Sequence, residues 1–88
     1  MRTDKELLTL LRDCTEALID GAGLCGVIFE MSRNDKTTYL ERTRLRDILD
    51  THAPQRRYSV YSWPKGEVQP RIDWLNSLLQ RIEGGEQL

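Results

Sequence analysis

Apolar residues recur at helical spacing in four separate segments of this 88-residue chain. Within each segment they lie three or four positions apart, so a helix would gather them on one face. Glycine, proline and polar residues separate the segments, and these residue types end helices or form turns. The pattern predicts one all-α domain spanning residues 1–88, a compact bundle of four helices over residues 4–20, 22–32, 38–51 and 70–83.

The sequence also marks where the predicted helices begin and end. Thr3 with Glu6, and again Thr38 with Glu41, have the spacing of a capping box. In that motif two residues satisfy the backbone N–H groups that a first helical turn leaves free. The paired glycines at 84–85 favour a helix end, because glycine readily adopts the left-handed conformation found there.

The second segment is apolar nearly all round, since Cys25 and Phe29 fall on a different face from Val27 and Ile28. A helix with apolar residues on all sides is typical of a protein interior. We therefore expect helix 22–32 to be the central element of the bundle, with Val27 and Ile28 fully buried. The third helix is expected to turn four residues toward the core: Leu40, Leu45, Ile48 and Leu49.

An aromatic stretch precedes the last predicted helix. Tyrosine, valine and tryptophan favour an extended backbone, and the residue before a proline avoids the α region, so an extended aromatic loop is predicted. Tyrosine, tryptophan and arginine often anchor protein interfaces, and the same groups can stack a base or hold a phosphate. The candidate binding residues are Arg56, Arg57, Tyr58, Tyr61, Trp63, Lys65 and Arg71. In the alternative interpretation, Tyr58 and Trp63 fold back over the helices and Arg71 braces the loop.

Catalytic and metal chemistry have little support in the sequence. The sole histidine, His52, lies at a predicted helix end close to a proline. Cys14 and Cys25 are too few for a disulfide framework, and we expect both to be reduced, structural thiols. Together with His52 they would lack a fourth zinc ligand. We therefore expect a protein that is not an enzyme and that binds no metal and no cofactor.

Composition and charge restrict the classes of partner. Apolar residues at 39 % and charged residues at 31 % are typical of a soluble domain, either a monomer or a homo-oligomer that shares its core. Residues 33–57 carry seven lysines and arginines against four acids, a mildly basic region well short of a nucleic-acid footprint. No apolar run approaches the ~20 residues of a membrane helix, and no signal peptide is evident. We expect a cytoplasmic protein with no membrane contact.

Three pieces of the chain resemble a type of small phage and prophage protein: LCGVIFEM, TTYLERTRLRDIL and YSWPKGEVQPRIDWL, within residues 24–79. The similar proteins share an apolar helix with Leu-Cys-Gly, a helix–turn–helix and a closing signature. Here the signature residues are Trp63, Pro64, Gly66, Pro70, Arg71, Ile72, Trp74 and Leu75. The type has no assigned activity, so the resemblance implies an origin, and with it the cytoplasm of a host cell, but no mechanism.

These observations favour a non-catalytic, phage-type accessory protein that binds and modulates a host protein, for instance as an inhibitor. One alternative is a binder of an anionic small ligand, such as a nucleotide, at loop 63–71. A further alternative is nucleic-acid binding through the arginine-bearing face of residues 42–57. Protein binding predicts an exposed apolar-aromatic patch. Ligand binding predicts a pocket where Lys65, Arg71 and a ring converge, and nucleic-acid binding predicts a salt-sensitive affinity.

Overall fold

Four helices form the fold in the computed structural model: α1 (Asp4–Ala17), α2 (Leu24–Asn34), α3 (Tyr39–His52) and α4 (Val68–Glu83). The structure describes residues 1–17, 24–52 and 68–88. Within these ranges there is no strand, which confirms the predicted all-α class, and no helix is long and apolar enough to cross a membrane. The predicted aromatic loop before the last helix lies outside the described residues.

The helix boundaries lie close to those predicted. α2 continues to Asn34, two residues further than predicted, and α3 begins and ends one residue later. The predicted continuation of α1 to residue 20 lies outside the described residues. α4 begins at Val68, so that Pro70 is its third residue. The first backbone N–H groups of a helix have no intrahelical acceptor, and Pro70 therefore costs α4 no hydrogen bond.

Both predicted capping boxes are present. At α1, Thr3 N donates to Glu6 Oε1 over 3.1 Å, and Glu6 N donates to Thr3 Oγ1 over 3.2 Å. At α3, the same reciprocal hydrogen bonds join Thr38 and Glu41 over 2.9 and 3.2 Å. Each box satisfies two N–H groups near a helix start, so these local pairs determine where α1 and α3 begin.

Helix α4 ends at a glycine in the left-handed conformation. Gly85 has φ 92°, and its N–H donates to Ile82 O over 2.9 Å. Glu86 N donates to Arg81 O over 3.0 Å. The two bonds together form the Schellman motif, in which a left-handed residue lets the last helical carbonyls find donors. The predicted helix end is thus confirmed.

Helix α1 is the central element of the bundle, because it packs against α2, α3 and α4. The prediction that α2 would be central is wrong. Val27 and Ile28 are buried as predicted, but Phe29 is 61 % exposed, so α2 has a solvent-facing side. All four helices contribute to the apolar core, which comprises Leu7, Leu8, Leu11, Val27, Ile28, Met31, Leu45, Ile48, Leu49, Leu75, Leu78 and Leu79.

Helix α3 buries Glu41 where the sequence pattern placed Leu40. Glu41 is 3 % exposed, whereas Leu40 is 67 % exposed. The helical register explains the exchange, because Glu41 precedes the buried Leu45 by four positions and the buried Ile48 by seven. Leu40 instead precedes the polar Arg44 by four positions. Helix α4 buries Ile72, Leu75, Leu78 and Leu79, which lie three or four positions apart on one face.

Candidate functional site

Only one of the seven binding residues predicted from the sequence lies in a described part of the chain. That residue is Arg71, the fourth residue of α4, and it is only 1 % exposed. The role of the other six, which lie outside the described residues, stays a prediction: Arg56, Arg57, Tyr58, Tyr61, Trp63 and Lys65. A side chain as buried as that of Arg71 belongs to the interior of the fold and is poorly placed to touch a partner.

Three large apolar side chains are exposed on α2 and on the first turn of α3. Phe29 is 61 % exposed, Tyr39 72 % and Leu40 67 %. Elsewhere in the described ranges, only Met1 among the large hydrophobic residues is comparably exposed. We refer to α2, α3 and the turn between them (residues 24–52) as the α2–α3 unit. The exposed apolar groups are therefore concentrated on one helix–turn–helix.

The sequence does contain a signal for these exposed positions. In α2, Phe29 precedes Ser32 and Arg33 at helical spacing, so its side of the helix is polar. In α3, Leu40 precedes Arg44 in the same way. An apolar residue that is out of register with the buried stripe of its helix faces solvent. Register within each helix, and not hydrophobicity alone, therefore identifies both exposed residues.

The turn between α2 and α3 (residues 35–38) is held against α1 and the segment before it. Arg2 Nη2 donates to Asp35 O over 3.2 Å. The Cys14 thiol donates to the Asp35 carboxylate, with Sγ and Oδ2 3.6 Å apart. Next in the chain, Lys36 adopts φ 53°. This left-handed conformation is unfavourable for a residue with a Cβ atom, so the surrounding contacts maintain it.

The buried carboxylate of Glu41 joins the start of α3 to the segment before α1. It accepts hydrogen bonds from Thr38 N over 2.9 Å, from Arg2 N over 3.0 Å and from Arg2 Nη1 over 3.1 Å. The N–H groups of Thr38, and then of Arg2, favour the charged form and lower the pKa of Glu41 to about 2. Ionised Glu41 thereby holds the first turn of α3, which carries Tyr39 and Leu40.

Acidification is expected to destabilise the protein through Glu41. A carboxyl group with a lowered folded-state pKa stabilises the fold above its unfolded pKa, and this stabilisation disappears as pH falls through the folded pKa. For Glu41 the window extends from the ordinary value of 4.5 down to about 2. We expect the Tm, measured by circular dichroism, to fall across this window.

Glu41→Gln provides the matched control, because glutamine preserves the capping geometry and removes the charge that binds Arg2. Its Tm should be lower than that of the parent at neutral pH and should fall less on acidification. The remaining pH dependence comes from other carboxyls with lowered pKa values, including Asp4 beside Arg44. An equal fall in the parent and in Glu41→Gln would contradict the role of Glu41.

The arginines at the start of α3 are engaged inside the molecule. Arg42 Nη1 donates to Ser32 Oγ over 3.0 Å, which joins α3 to the end of α2. Arg44 binds both carboxylate oxygens of Asp4 through Nε and Nη2, over 3.0 and 2.9 Å. These guanidinium groups connect helices. The face of residues 42–57 therefore presents fewer free cations than its sequence indicates.

Lys36 differs from the other cationic side chains. In the parts of the chain that the structure describes, it is the one lysine or arginine whose side chain makes no hydrogen bond or ion pair. It is exposed, and it precedes Tyr39 and Leu40 by three and four residues. An unpaired cation is thus followed closely in the sequence by exposed apolar side chains.

Cys14 has the properties of a structural thiol. It is a free, half-buried cysteine, whereas the side chain of Cys25 lies outside the described part of the structure. Burial, and then the charge of Asp35, raise the pKa of Cys14 to about 11. The thiol therefore stays protonated near neutral pH and is a poor nucleophile. Within the described ranges, no group of three histidine, cysteine or acidic residues could hold a metal ion.

Two open grooves, of about 360 and 380 Å³, border α1. The first is lined by Arg2 and Lys5, which already pair with Glu41 and Glu83. The second contains the ion pair of Arg44 described above. These charged groups are therefore used by the fold, and the grooves do not favour an anionic-ligand site over the exposed apolar residues of the α2–α3 unit.

No family model, curated protein or solved structure matches this chain.

Proposed function

We propose that this chain is a non-catalytic, phage-type accessory protein that binds and modulates a host protein through its α2–α3 unit. The observation that carries the proposal is the exposure of Phe29, Tyr39 and Leu40. Of the three functions considered, protein binding is the one that predicts exposed apolar and aromatic side chains. The resemblance of residues 24–79 to small phage proteins supports the origin and the nature of the partner.

Burial of these three side chains in an interface would be favourable. Removing apolar surface from water stabilises a complex by roughly 25 cal/mol per Å² before the costs of association. Phenylalanine and tyrosine are also enriched in the cores of protein interfaces. Phe29 and Tyr39 therefore suit the centre of a binding surface, and Leu40 adds aliphatic area beside Tyr39.

The α2–α3 unit is ordered behind its exposed residues. Glu41 binds Arg2, and Arg42 joins α3 to Ser32 at the end of α2. A surface that is ordered before binding loses less conformational entropy on association. These hydrogen bonds therefore favour binding, although none of their polar groups needs to touch the partner.

The two alternative functions have less support from the described residues. A ligand site at loop 63–71 requires Arg71 to reach the ligand, and this side chain is 1 % exposed. Nucleic-acid binding through residues 42–57 requires free arginines, and Arg42 and Arg44 are engaged within the fold. Neither alternative uses the exposed apolar residues of α2 and α3.

The proposal is tested by capture of bacterial proteins with two matched variants. The double variant Phe29→Ser/Leu40→Ser changes the proposed surface, whereas Gln80→Ser changes an exposed position on α4. A partner captured by the parent should also bind Gln80→Ser. It should bind the double variant at least ~30-fold more weakly, as expected when a hot-spot side chain is lost.

Thermal melts complete this test, because a variant that fails to fold would also fail to bind. Both variants change exposed residues, so each should melt within a few degrees of the parent. Equal affinity of the parent and the double variant for every captured protein would contradict the proposal.

A further inference from the structure

Lys36 and the exposed apolar residues of the α2–α3 unit indicate the chemistry of the partner. We infer that the unit binds a protein segment that presents a carboxylate beside apolar side chains. Lys36 pairs with the carboxylate, and Phe29, Tyr39 and Leu40 contact the apolar groups. This inference rests on the proposed function and adds the class of partner to it.

The first argument is the unpaired charge of Lys36. In the described ranges every other lysine and arginine side chain has an intramolecular partner. This holds even for exposed cations, since Lys5 pairs with Glu83 and Arg33 with Glu30. A free ammonium group attracts a carboxylate and disfavours a cationic partner. The charge of Lys36 is therefore available for selecting an acidic partner.

The second argument is the backbone conformation of Lys36. Its φ of 53° lies in the left-handed region, which glycine adopts at lower cost than a residue with a side chain. Non-glycine residues in such conformations cluster at functional sites, where the side chain has a use. The turn itself would accept glycine, so the presence of lysine indicates a role for its cationic side chain.

The third argument is the size of the exposed apolar area. Phe29, Tyr39 and Leu40 together expose on the order of 400 Å², given about 150–250 Å² for a whole aromatic side chain. A stable interface buries about 800 Å² on each partner. Pairing two copies of this chain face to face would also bring two Lys36 ammonium groups of like charge into one interface. A second copy therefore fits this surface poorly.

An acidic amphipathic helix fits the same surface well. Such a helix presents apolar residues three and four positions apart, with carboxylates along the edge of the apolar stripe. Nucleic acid fits less well, because its phosphates require several free cations, and Lys36 is the one available in the described part of this surface. The favoured partner is thus a protein segment that is both acidic and apolar.

Displayed random peptides provide a probe that does not depend on the natural partner. Sorting a peptide library on the parent protein is expected to enrich peptides with aspartate or glutamate three or four residues from apolar residues. An enriched peptide should bind Lys36→Glu at least about tenfold more weakly than the parent. Replacing the carboxylate of the peptide with lysine should restore its binding to Lys36→Glu.

Lys36→Gly controls for the fold, because glycine suits the left-handed turn. This variant should melt no lower than the parent and yet bind the enriched peptide weakly. Leu40→Ser separates the inference from the proposed function. If Leu40→Ser weakens peptide binding and Lys36→Glu does not, the unit binds proteins but the role of Lys36 is wrong.

Other outcomes would also overturn the inference. One is a library that enriches peptides without acidic residues, or that enriches none. Another is a lysine-bearing peptide that fails to restore binding to Lys36→Glu. A third is single-stranded DNA that binds more tightly than any peptide. If neither Leu40→Ser nor Lys36→Glu weakens binding of the enriched peptides, the α2–α3 surface is not their site. The proposed function itself is then decided by the capture experiment with Phe29→Ser/Leu40→Ser.

Discussion

Val27→Asp is expected to abolish cooperative folding. Val27 is 1 % exposed and belongs to the apolar core, so a carboxylate in the place of its side chain would be buried among hydrophobic residues. Burying an unpaired charge costs several kcal/mol, which approaches the ~5–15 kcal/mol of total stability of a typical domain. Thermal unfolding followed by circular dichroism should therefore show no cooperative transition, and a two-dimensional NMR spectrum should show little dispersion.

Phe29→Asp is the matched control, because it places the same charge two residues further along α2. Phe29 is 61 % exposed, and a charge there remains solvated. The Tm should stay within a few degrees of the parent, since exposed substitutions typically change stability by no more than about 0.5 kcal/mol. A cooperative melt of Val27→Asp near that of the parent would show that α2 does not pack into the core.

Arg71→Ala is expected to lower the Tm by about 10–30 °C. Arg71 is one of the largest fully buried side chains of the described residues, at 1 % exposed. Alanine would leave a cavity and remove the buried donors of the guanidinium, a loss of about 2–4 kcal/mol. In a domain of this size each kcal/mol shifts Tm by about 4–8 °C. A surface binding role for Arg71 predicts the opposite result, a Tm that is nearly unchanged.

Arg81→Ala is the matched control for Arg71→Ala on the same helix. The Arg81 side chain is 44 % exposed and pairs with Glu86 near the end of α4. Exposed ion pairs contribute about 0–1 kcal/mol, so this variant should melt close to the parent. If Arg71→Ala melts as high as Arg81→Ala and also loses binding of a ligand, Arg71 belongs to a site on loop 63–71 and not to the core.

The start and end of helices could be predicted from the sequence because their signals are local. Thr3 and Glu6 are three residues apart, and the backbone bonds that close α4 at Gly85 span a single turn. The burial of Val27 and Ile28 follows from helical spacing in the same way. Contacts between residues this close in sequence depend little on how the helices are arranged, so one sequence is enough to predict them.

The arrangement of the helices depends on contacts between distant residues, which helical periodicity does not encode. Glu41 is buried because Arg2, 39 residues earlier, binds its carboxylate. Neither residue indicates this pairing in the sequence, so hydrophobicity alone predicts that Leu40 and not Glu41 lies in the core. Similarly, the central position of α1 results from its contacts with three helices, whereas apolar composition favoured α2.

The candidate site, too, could be predicted from the sequence only in part. Aromatic and cationic residues predict a site in the stretch that contains Trp63, most of which lies outside the described residues. The exposure of Phe29 and Leu40 agrees with their helical register, but only the packing of α2 and α3 on α1 shows that these side chains remain uncovered. Among the described cations Lys36 is distinguished by having no partner, and such pairing depends on the folded structure and not on the sequence pattern.

The central position of α1 has a consequence for synthesis of the protein. α1 leaves the ribosome before every helix that it packs against, and much of its apolar face is covered by α4, which comes last of the four. At about 5–20 residues per second, its leucines remain uncovered for several seconds. Helices α2 and α3 emerge in this interval, before α4. The nascent chain therefore presents α1 to chaperones until α4 emerges and closes the bundle.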